Sequence, residues 1–452
     1  MNKVIDFTSE RHQRYKKNWN IYENQPDFPR PEDKYVPISL GKEMCELYRD
    51  IAFKDNIVAN VRNNKEAKEA IDRIVFDNEL DATVSEMAIS VAAKGDGVFK
   101  NYLDDGVSKI SYVEPEYYFP EFDPYDKRKI VRETIAFPVE ISDGKYELFE
   151  EIYEKINGTY WCITKKSDYL EGTTSNERII SEIDTELTQS PLTPVFFGRT
   201  TGSFFGFSIF FTIEPILDEF NWKVSQISKI LDKFSSPNLI GDPSLLDEGG
   251  KFQFSEKSGL YLPVEKDEIE PKYLTWDAQM AANFKYIDEV LLKCLQYVSP
   301  LNPSIYGMGS DLASTSARAL KVKSWRTANI IENSLKYWER ALKKVLLIAQ
   351  QLEIISGNYN YTPGLPLVEC SPSFPIDSYE LAQEEQLKVA SGVTSIRSSI
   401  QRLNPHYSAE QTEDEWLEII AEKNEMNAQT FMTPLTTTMD TEDEEDDDNE
   451  LE

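Results

Sequence analysis

Between Ala328 and Leu352 the apolar residues Ala328, Ile331, Leu335, Trp338, Leu342, Val345, Ala349 and Leu352 follow one another at alternating steps of three and four. At 3.6 residues per turn this spacing puts all eight on one helix face, and neither Pro nor Gly interrupts it. The rest of the chain has to be built around so long an amphipathic helix. The same segment is basic: from Thr315 to Val345 there are eight Lys and Arg against two Glu, although the 452-residue chain carries a formal charge of −31. A protein that coats nucleic acid would show a broad basic surface, which this charge excludes, so any nucleic-acid contact must be local.

At 40% hydrophobic residues the chain can bury a sizeable core, and its length implies several regions. Cys45, Cys162, Cys294 and Cys370 are widely separated and show no C-x-x-C spacing, so they read as reduced, buried thiols rather than a zinc site or disulfide framework. The N-terminal MNKVIDFTSERHQRYKKNW lacks the apolar core of a signal peptide and reads as a polar helical arm of a chain that stays in the cytoplasm. The most apolar stretch, FFGFSIFFTI from Phe204 to Ile213, is too short to span a bilayer and reads as a buried strand or helix entry.

In chain order, a Pro-rich passage from Gln25 to Pro37 precedes helical patterns over Leu40–Ala52 and Lys65–Ala93. Lys94-Gly95-Asp96-Gly97 and Asp104-Asp105-Gly106 supply positive-φ residues for hairpins, with apolar or aromatic positions at Val98, Tyr102, Ile110 and Tyr112. Alternation continues from Ile130 to Lys166, where Asn157-Gly158 between YELFEEIYEKI and TYWCITKK signals a type I′ hairpin. Ile216, Phe220, Val224, Ile227, Leu231 and Phe234 then predict a helix of five to six turns, stopped at Ser235-Ser236-Pro237. Asn238 to Trp276 reads as a small β-rich module, with LYLPV as a strand. A second helix over Asp277–Val298 carries Phe284, Ile287, Leu291, Cys294 and Val298 on one face. Beyond the long helix, 357–375 is a connector, followed by helices over Ser378–Arg402 and Ser408–Asn427, the second opened by a Ser408–Gln411 capping box. From Asp440 to Glu452 ten of thirteen residues are acidic, which predicts a disordered tail.

Enzymatic chemistry finds little support. No G-x-x-x-x-G-K-[ST] phosphate loop exists, since Gly41-Lys42 precedes Glu43 and Gly250-Lys251 precedes Phe252, so the chain is not expected to hydrolyse ATP. With only His12 and His406, a histidine triad or His-rich metal site is not expected. The pairs Asp104-Asp105 and Asp123/Asp126 lack the spacing of a calcium loop and read as turn chemistry. The sequon Asn157-Gly158-Thr159 has no secretory context. The one enzymatic alternative is a soluble α+β hydrolase with an acidic carboxylate-pair active site, because 79 acidic residues make accidental pairs inevitable.

Gly206, Ser208, Pro215, Asp218, Asn221 and Ser225 form a Gly-x-Ser entry followed by a helix carrying Asp and Asn, and STSARALKVK at Ser314–Lys323 opens the long helix. In these motifs and in the order of its parts, the chain resembles the portal proteins of tailed bacteriophages, the long-tailed type. The resemblance implies an α+β, multi-region portal fold: N-terminal arm 1–30, mixed α/β wing 31–212, stem helices 213–236 and 277–298, β-rich clip 237–276, tunnel loop 299–316, long wing helix 317–356, helical crown 357–432 and disordered acidic tail 433–452. It further implies a ring, usually of twelve subunits, at one capsid vertex of the virion. That ring would be assembled in the host cytoplasm, with double-stranded DNA passing through it and a terminase, a head–tail adaptor, and major capsid and scaffolding proteins as partners. No cofactor, metal or membrane is implied.

Between Ser299 and Ala317 no Lys or Arg occurs, and Asp311 is the sole charge. Phosphate contact by this loop would therefore use Asn302, Ser304, Tyr306, Ser310 or backbone amides, with Gly307 and Gly309 as hinges. Charge contact falls to the helix start, at Arg318, Lys321 and Lys323. The stripe Lys336, Arg340 and Lys343 reads as a solvated face or a set of subunit salt bridges rather than a DNA contact, and Trp325 and Trp338 read as core anchors.

Overall fold

The computed structural model describes residues 5–25, 35–54, 56–142, 144–170, 172–234, 238–241, 261–263, 272–274, 280–301, 317–373, 378–404 and 407–431. The chain divides into two compact units, 1–374 and 375–452. The first contains α1 (Glu10–Tyr22), α2 (Leu40–Ala52), β1 (Val58–Asn60), α3 (Lys65–Asp77), α4 (Leu80–Lys94), β2 (Asp96–Asp104), β3 (Val107–Val113), β4 (Tyr118–Phe122), β5 (Ile130–Ser142), β6 (Lys145–Ile156), β7 (Thr159–Leu170), β8 (Thr173–Asp184) and β9 (Leu192–Phe196). It continues through α5 (Glu214–Phe234), β10 (Asn238–Gly241), β11 (Tyr261–Pro263), β12 (Lys272–Leu274), α6 (Met280–Tyr286), a π-helical turn (Ile287–Leu291), α7 (Leu292–Val298), α8 (Ala317–Ile355) and β13 (Leu367–Glu369). The second unit holds α9 (Ser378–Ala390), α10 (Ile396–Leu403) and α11 (Ala409–Phe431).

The apolar stripe of α8 organises the first unit. Ile331, Leu335, Trp338, Leu342, Val345 and Ala349 are buried in one cluster with Met44, Cys45 and Tyr48 of α2, Val84, Met87 and Val91 of α4, and the strand residues Phe99 and Val195. Leu352 joins a smaller cluster with Leu187 and Ile348. The Trp338 indole N–H donates to the Tyr48 hydroxyl (3.0 Å), which is itself 2.7 Å from the Ser334 hydroxyl, so the polar atoms entering this core are satisfied. Trp325 differs from the core anchor expected of it, being 67% exposed. At that end of α8 the buried face runs through Ser324 and Thr327, and Trp325 stands about 100° round the helix from Ser324.

Two antiparallel sheets follow, the first packed on this core and the second on a smaller cluster of its own with Val98 and Leu192. One has the order β3-β2-β9; the other is the meander β4-β5-β6-β7-β8. The β6–β7 hairpin turns on Asn157 (φ 53°) and Gly158 (φ 103°), the left-handed pair of a type I′ turn, and Asp105-Gly106 does the same between β2 and β3. Gly95 serves otherwise than expected: with φ 97° it ends α4, its N–H bonded to the Val91 carbonyl (2.8 Å).

Three helical expectations change in detail. The pattern over Lys65–Ala93 is two helices, because Glu79 takes φ 45° and Asn78, whose N–H still bonds the Ile74 carbonyl (3.2 Å), caps the first with its side chain on the Ser108 carbonyl (3.2 Å) and the Ile110 N–H (2.8 Å) of β3. The pattern over Asp277–Val298 contains the π-turn, whose extra residue rotates the turns after it, so that Leu295 is buried after Ile287 and Leu291 while Val298 is exposed; Phe284, ahead of the turn, is exposed as well. Ser378–Arg402 breaks where Gly392 takes φ 73°, and α10 restarts with the Ser395 hydroxyl accepting from the Ser398 N–H (3.1 Å). Of the two forms expected for Phe204–Ile213, it takes the helix entry: Ile209, Phe210 and Ile213 are buried in turns that lead into α5. The capping box of α11 is present in both directions, Gln411 N–H to Ser408 Oγ (3.1 Å) and Ser408 N–H to Gln411 Oε1 (2.8 Å).

Candidate functional site

Of the predicted site residues, Asn302, Ser304, Tyr306, Gly307, Gly309 and Ser310 lie outside the described residues, as does the acidic tail. Arg318, Lys321 and Lys323 stand in the first two turns of α8, in helical backbone, with side chains outside the described set. The residues that lead into the loop are firmly held. Leu301 is fully buried in the main core, and its N–H donates to the Ser299 hydroxyl (3.2 Å). The chain is therefore fixed at 301, and the next described residues begin a helix whose other end is core.

Further along α8 the basic stripe separates into different roles. Lys343 pairs with Glu339 one turn earlier (3.5 Å), and Lys336 donates to Asn333 (2.7 Å). Arg340 instead faces a cavity together with Tyr337 and Lys344.

The Gly-x-Ser entry and the Asn- and Ser-bearing helix after it form a clamp. Gly206 donates its N–H to the Asp96 carboxylate (2.5 Å), and a Cβ there would collide with the Gly95 carbonyl oxygen, so only glycine fits. The Ser208 hydroxyl accepts from the Phe210 N–H (3.1 Å) and shapes the entry to α5. Pro215 sits in the first turn, where its missing N–H costs nothing. Asn221 Oδ1 accepts from the Ile38 N–H (2.9 Å), while Ser225 Oγ accepts from the Val36 N–H (2.9 Å) and donates to the Asn221 carbonyl (2.7 Å). The extended stretch 35–38 is thereby pinned along α5.

Asp96 and Glu133 are the important residues that motif reading passes over. Asp96 is buried, and its second oxygen accepts from the Tyr15 hydroxyl (2.5 Å), so one carboxylate joins α1, the start of β2 and the entry to α5. Burial pushes its pKa up to about 6, against the opposing effect of those two hydrogen bonds and of Arg14 and Arg11. Tyr15 is wholly buried and His12 nearly so, with the imidazole Nε2 2.8 Å from the Glu116 carbonyl and Nδ1 2.7 Å from the Ser9 hydroxyl; the polar N-terminal segment is helical, and these residues dock it. Glu133, also buried and raised by burial, accepts from the Tyr118 hydroxyl (2.6 Å) and from Ser190.

The remaining candidates resolve as local structure. Asp123 accepts from the Tyr125 N–H (2.9 Å) and pairs with Lys129 (3.1 Å), and Asp126 accepts from the Arg128 N–H (2.9 Å), which is turn chemistry. Among the described residues no group of three or more His, Cys, Asp and Glu is placed to hold a metal, and no helix is long and apolar enough to cross a membrane. Cys45 is buried; Cys162, Cys294 and Cys370 are half-buried, and all four are free thiols.

A family model described as "Phage portal protein, SPP1 Gp6-like" matches residues 2–428. No curated protein sequence matches the chain. Among solved structures, a chain from the "Neck of native GTA particle computed with C12 symmetry" is similar at 12% identity and TM-score 0.44, over 80% of this chain and 89% of that one. A chain from the "Neck of empty GTA particle computed with C6 symmetry" is similar at 11% identity and TM-score 0.45, with the same coverage.

Proposed function

This chain belongs to the phage portal protein family of the SPP1 Gp6-like kind, a component of the phage particle, and from that premise we propose that it forms a ring, of twelve subunits in the assembled capsid, through which double-stranded DNA enters and leaves. The family match across 2–428 carries the reading. In this arrangement 213–236 and 277–298 form the stem, 237–276 the clip, 299–316 the tunnel loop, 317–356 the long wing helix and 357–432 the crown. The clip side docks a terminase during packaging and a head–tail adaptor afterwards. The terminase supplies the ATP chemistry for which this chain has no phosphate loop.

The charge distribution suits a conduit. Each phosphate firmly neutralised by a cation adds a counterion-release term, and a wall that collected many of them would hold the duplex instead of letting it slide. A chain of −31 with few local cations repels the polyanion over most of its surface and attracts it weakly where Arg318, Lys321 and Lys323 recur round the ring. The nearly uncharged loop between Ser299 and Ala317 then acts sterically. Negative-stain imaging and native mass spectrometry of the purified chain test the ring: annular particles with a central hole, near twelve copies in mass, are expected. A well-behaved monomer at micromolar concentration, in the presence and absence of capsid protein, would sink the proposal.

A further inference from the structure

One cavity of the first unit gathers positive charge from three distant parts of the chain. Arg128 comes from the turn before β5, Arg199 from the loop after β9, and Arg340 and Lys344 from successive turns of α8; together they line a space of about 390 Å3. Among the described residues no carboxylate lines it. Lys344 donates to the Leu192 carbonyl (2.9 Å) and Arg128 to the Thr201 carbonyl (3.2 Å). The Arg199 guanidinium lies 4.8 Å from the centre of the Phe196 ring and 5.9 Å from those of Phe204 and Tyr337. Burial, and then the like charge of Arg128, lower the pKa of Arg199, with Arg340 adding to the effect, a measure of how closely these cations are gathered.

A second observation points to a ligand. Thr193 lines the same cavity and is only 4% exposed, yet its hydroxyl has no hydrogen-bond partner among the described residues. Buried hydroxyls are nearly always paired, so an orphaned donor beside clustered cations describes an unfilled oxyanion position. In a chain of −31, cations held together in one cavity have a Coulomb cost that a bound anion removes.

The walls choose among anions. Phe196, Phe204 and Tyr337 make the cavity apolar between its charges, and its volume lies in the range of small-ligand pockets, about 300–1,000 Å3. An anion entering must bring an apolar stem, as Glu and Asp side chains do. Duplex phosphates stay on the outside of a stiff rod and are met by cations spread along an open surface. We propose that this cavity receives the carboxylate side chains of an acidic protein segment, and that the occupant is the stretch 440–452 of a second copy of this chain, in which ten of thirteen residues are acidic. Arg199 and Arg340 grip carboxylates in bidentate fashion, Thr193 donates a further hydrogen bond, and Arg128 guards the rim. The inference does not depend on the DNA conduit.

The test uses the full chain with the acidic residues of 440–452 changed to Asn and Gln, so that its own tails do not compete, and a fluorescein-labelled peptide of the natural 440–452 sequence. Saturable binding that is lost in high salt is expected. Combining Arg199→Gln with Arg340→Gln should weaken it at least about tenfold, as removal of charged hydrogen bonds does, and Thr193→Val by about two- to tenfold. Thr193→Val breaks no hydrogen bond among the described residues and should keep the wild-type urea midpoint, which separates lost binding from unfolding. Peptide affinity unchanged in both variants would overturn the proposal, and so would a short DNA duplex binding more tightly than the peptide and losing affinity in the same variants.

Discussion

Asp96 shows how a single residue ties sequence-distant segments and makes the tie sensitive to pH. Its folded pKa of about 6 lies above the ordinary value of 3.8, because burial outweighs the hydrogen bonds from Tyr15 and Gly206. A group whose pKa is raised on folding stabilises while protonated: the contribution is complete below about pH 4 and is lost as pH rises through about 6. A shift of about two units corresponds to about 3 kcal/mol. Asp96→Asn keeps a carbonyl oxygen for the Gly206 N–H and offers an amide donor to Tyr15, so it should fold and remove that dependence. Urea unfolding at pH 4 and pH 7 should show wild type losing about 2 kcal/mol relative to the variant; parallel behaviour of the two would mean that Asp96 does not titrate in this window. At the start of α8, Arg318→Ala and Lys321→Ala particles should package DNA but retain it less well, as read by DNA release on heating. Wild-type packaging and retention in both would remove charge from the account of DNA contact there.

At the scale of elements, the local signals are the ones that the sequence makes legible. Asn157-Gly158 specifies its own turn, because φ values of 53° and 103° are available to Asn and Gly and strained for other residues. No atom lies within 4 Å of a Cβ added at Gly158, so Gly158→Ala isolates the backbone term. It should cost about 1–2 kcal/mol in urea unfolding, and an unchanged midpoint would show that the β6–β7 hairpin tolerates another turn type. The α8 stripe and the α11 capping box were readable for the same reason, being patterns within a few turns. The break between α3 and α4 was not: apolar spacing runs on through Asn78-Glu79, and the cause lies in the bonds of Asn78 to β3, some thirty residues away. The π-turn at Ile287–Leu291 is likewise silent in spacing, yet it moves burial from Cys294 to Leu295. The Asp96–Tyr15 pair spans 81 positions, and the cationic cavity is assembled from residues 128, 199, 340 and 344, so neither leaves a motif. The predicted tunnel-loop residues remain a proposal that rests on the family.

For the molecule as a whole, the acidic total and the basic α8 are compatible because the helix divides its faces, an apolar one in the core and its described cations outside it. Its length, 39 residues at about 1.5 Å each, makes a rod of roughly 58 Å, whose middle and C-terminal turns share one core with α2, α3, α4 and residues of β1, β2, β3, β9 and β13. A chain ending before Ile331 would lack Ile331, Leu335, Trp338, Leu342 and Val345 from the main cluster. Such a fragment is expected to be recovered in the insoluble fraction, and a soluble fragment with a cooperative melt would show that the remaining elements close a core unaided. The hydrogen bond between Trp338 and Tyr48 closes a separation of 290 residues. On a ribosome adding about 5–20 residues per second, α2 would wait about 15 to 60 s for its partner to be made. Through that interval α2 and α4 have each other but not α8, so the apolar surface that Trp338 and its neighbours cover stays open to other nascent copies until the last third of the chain emerges.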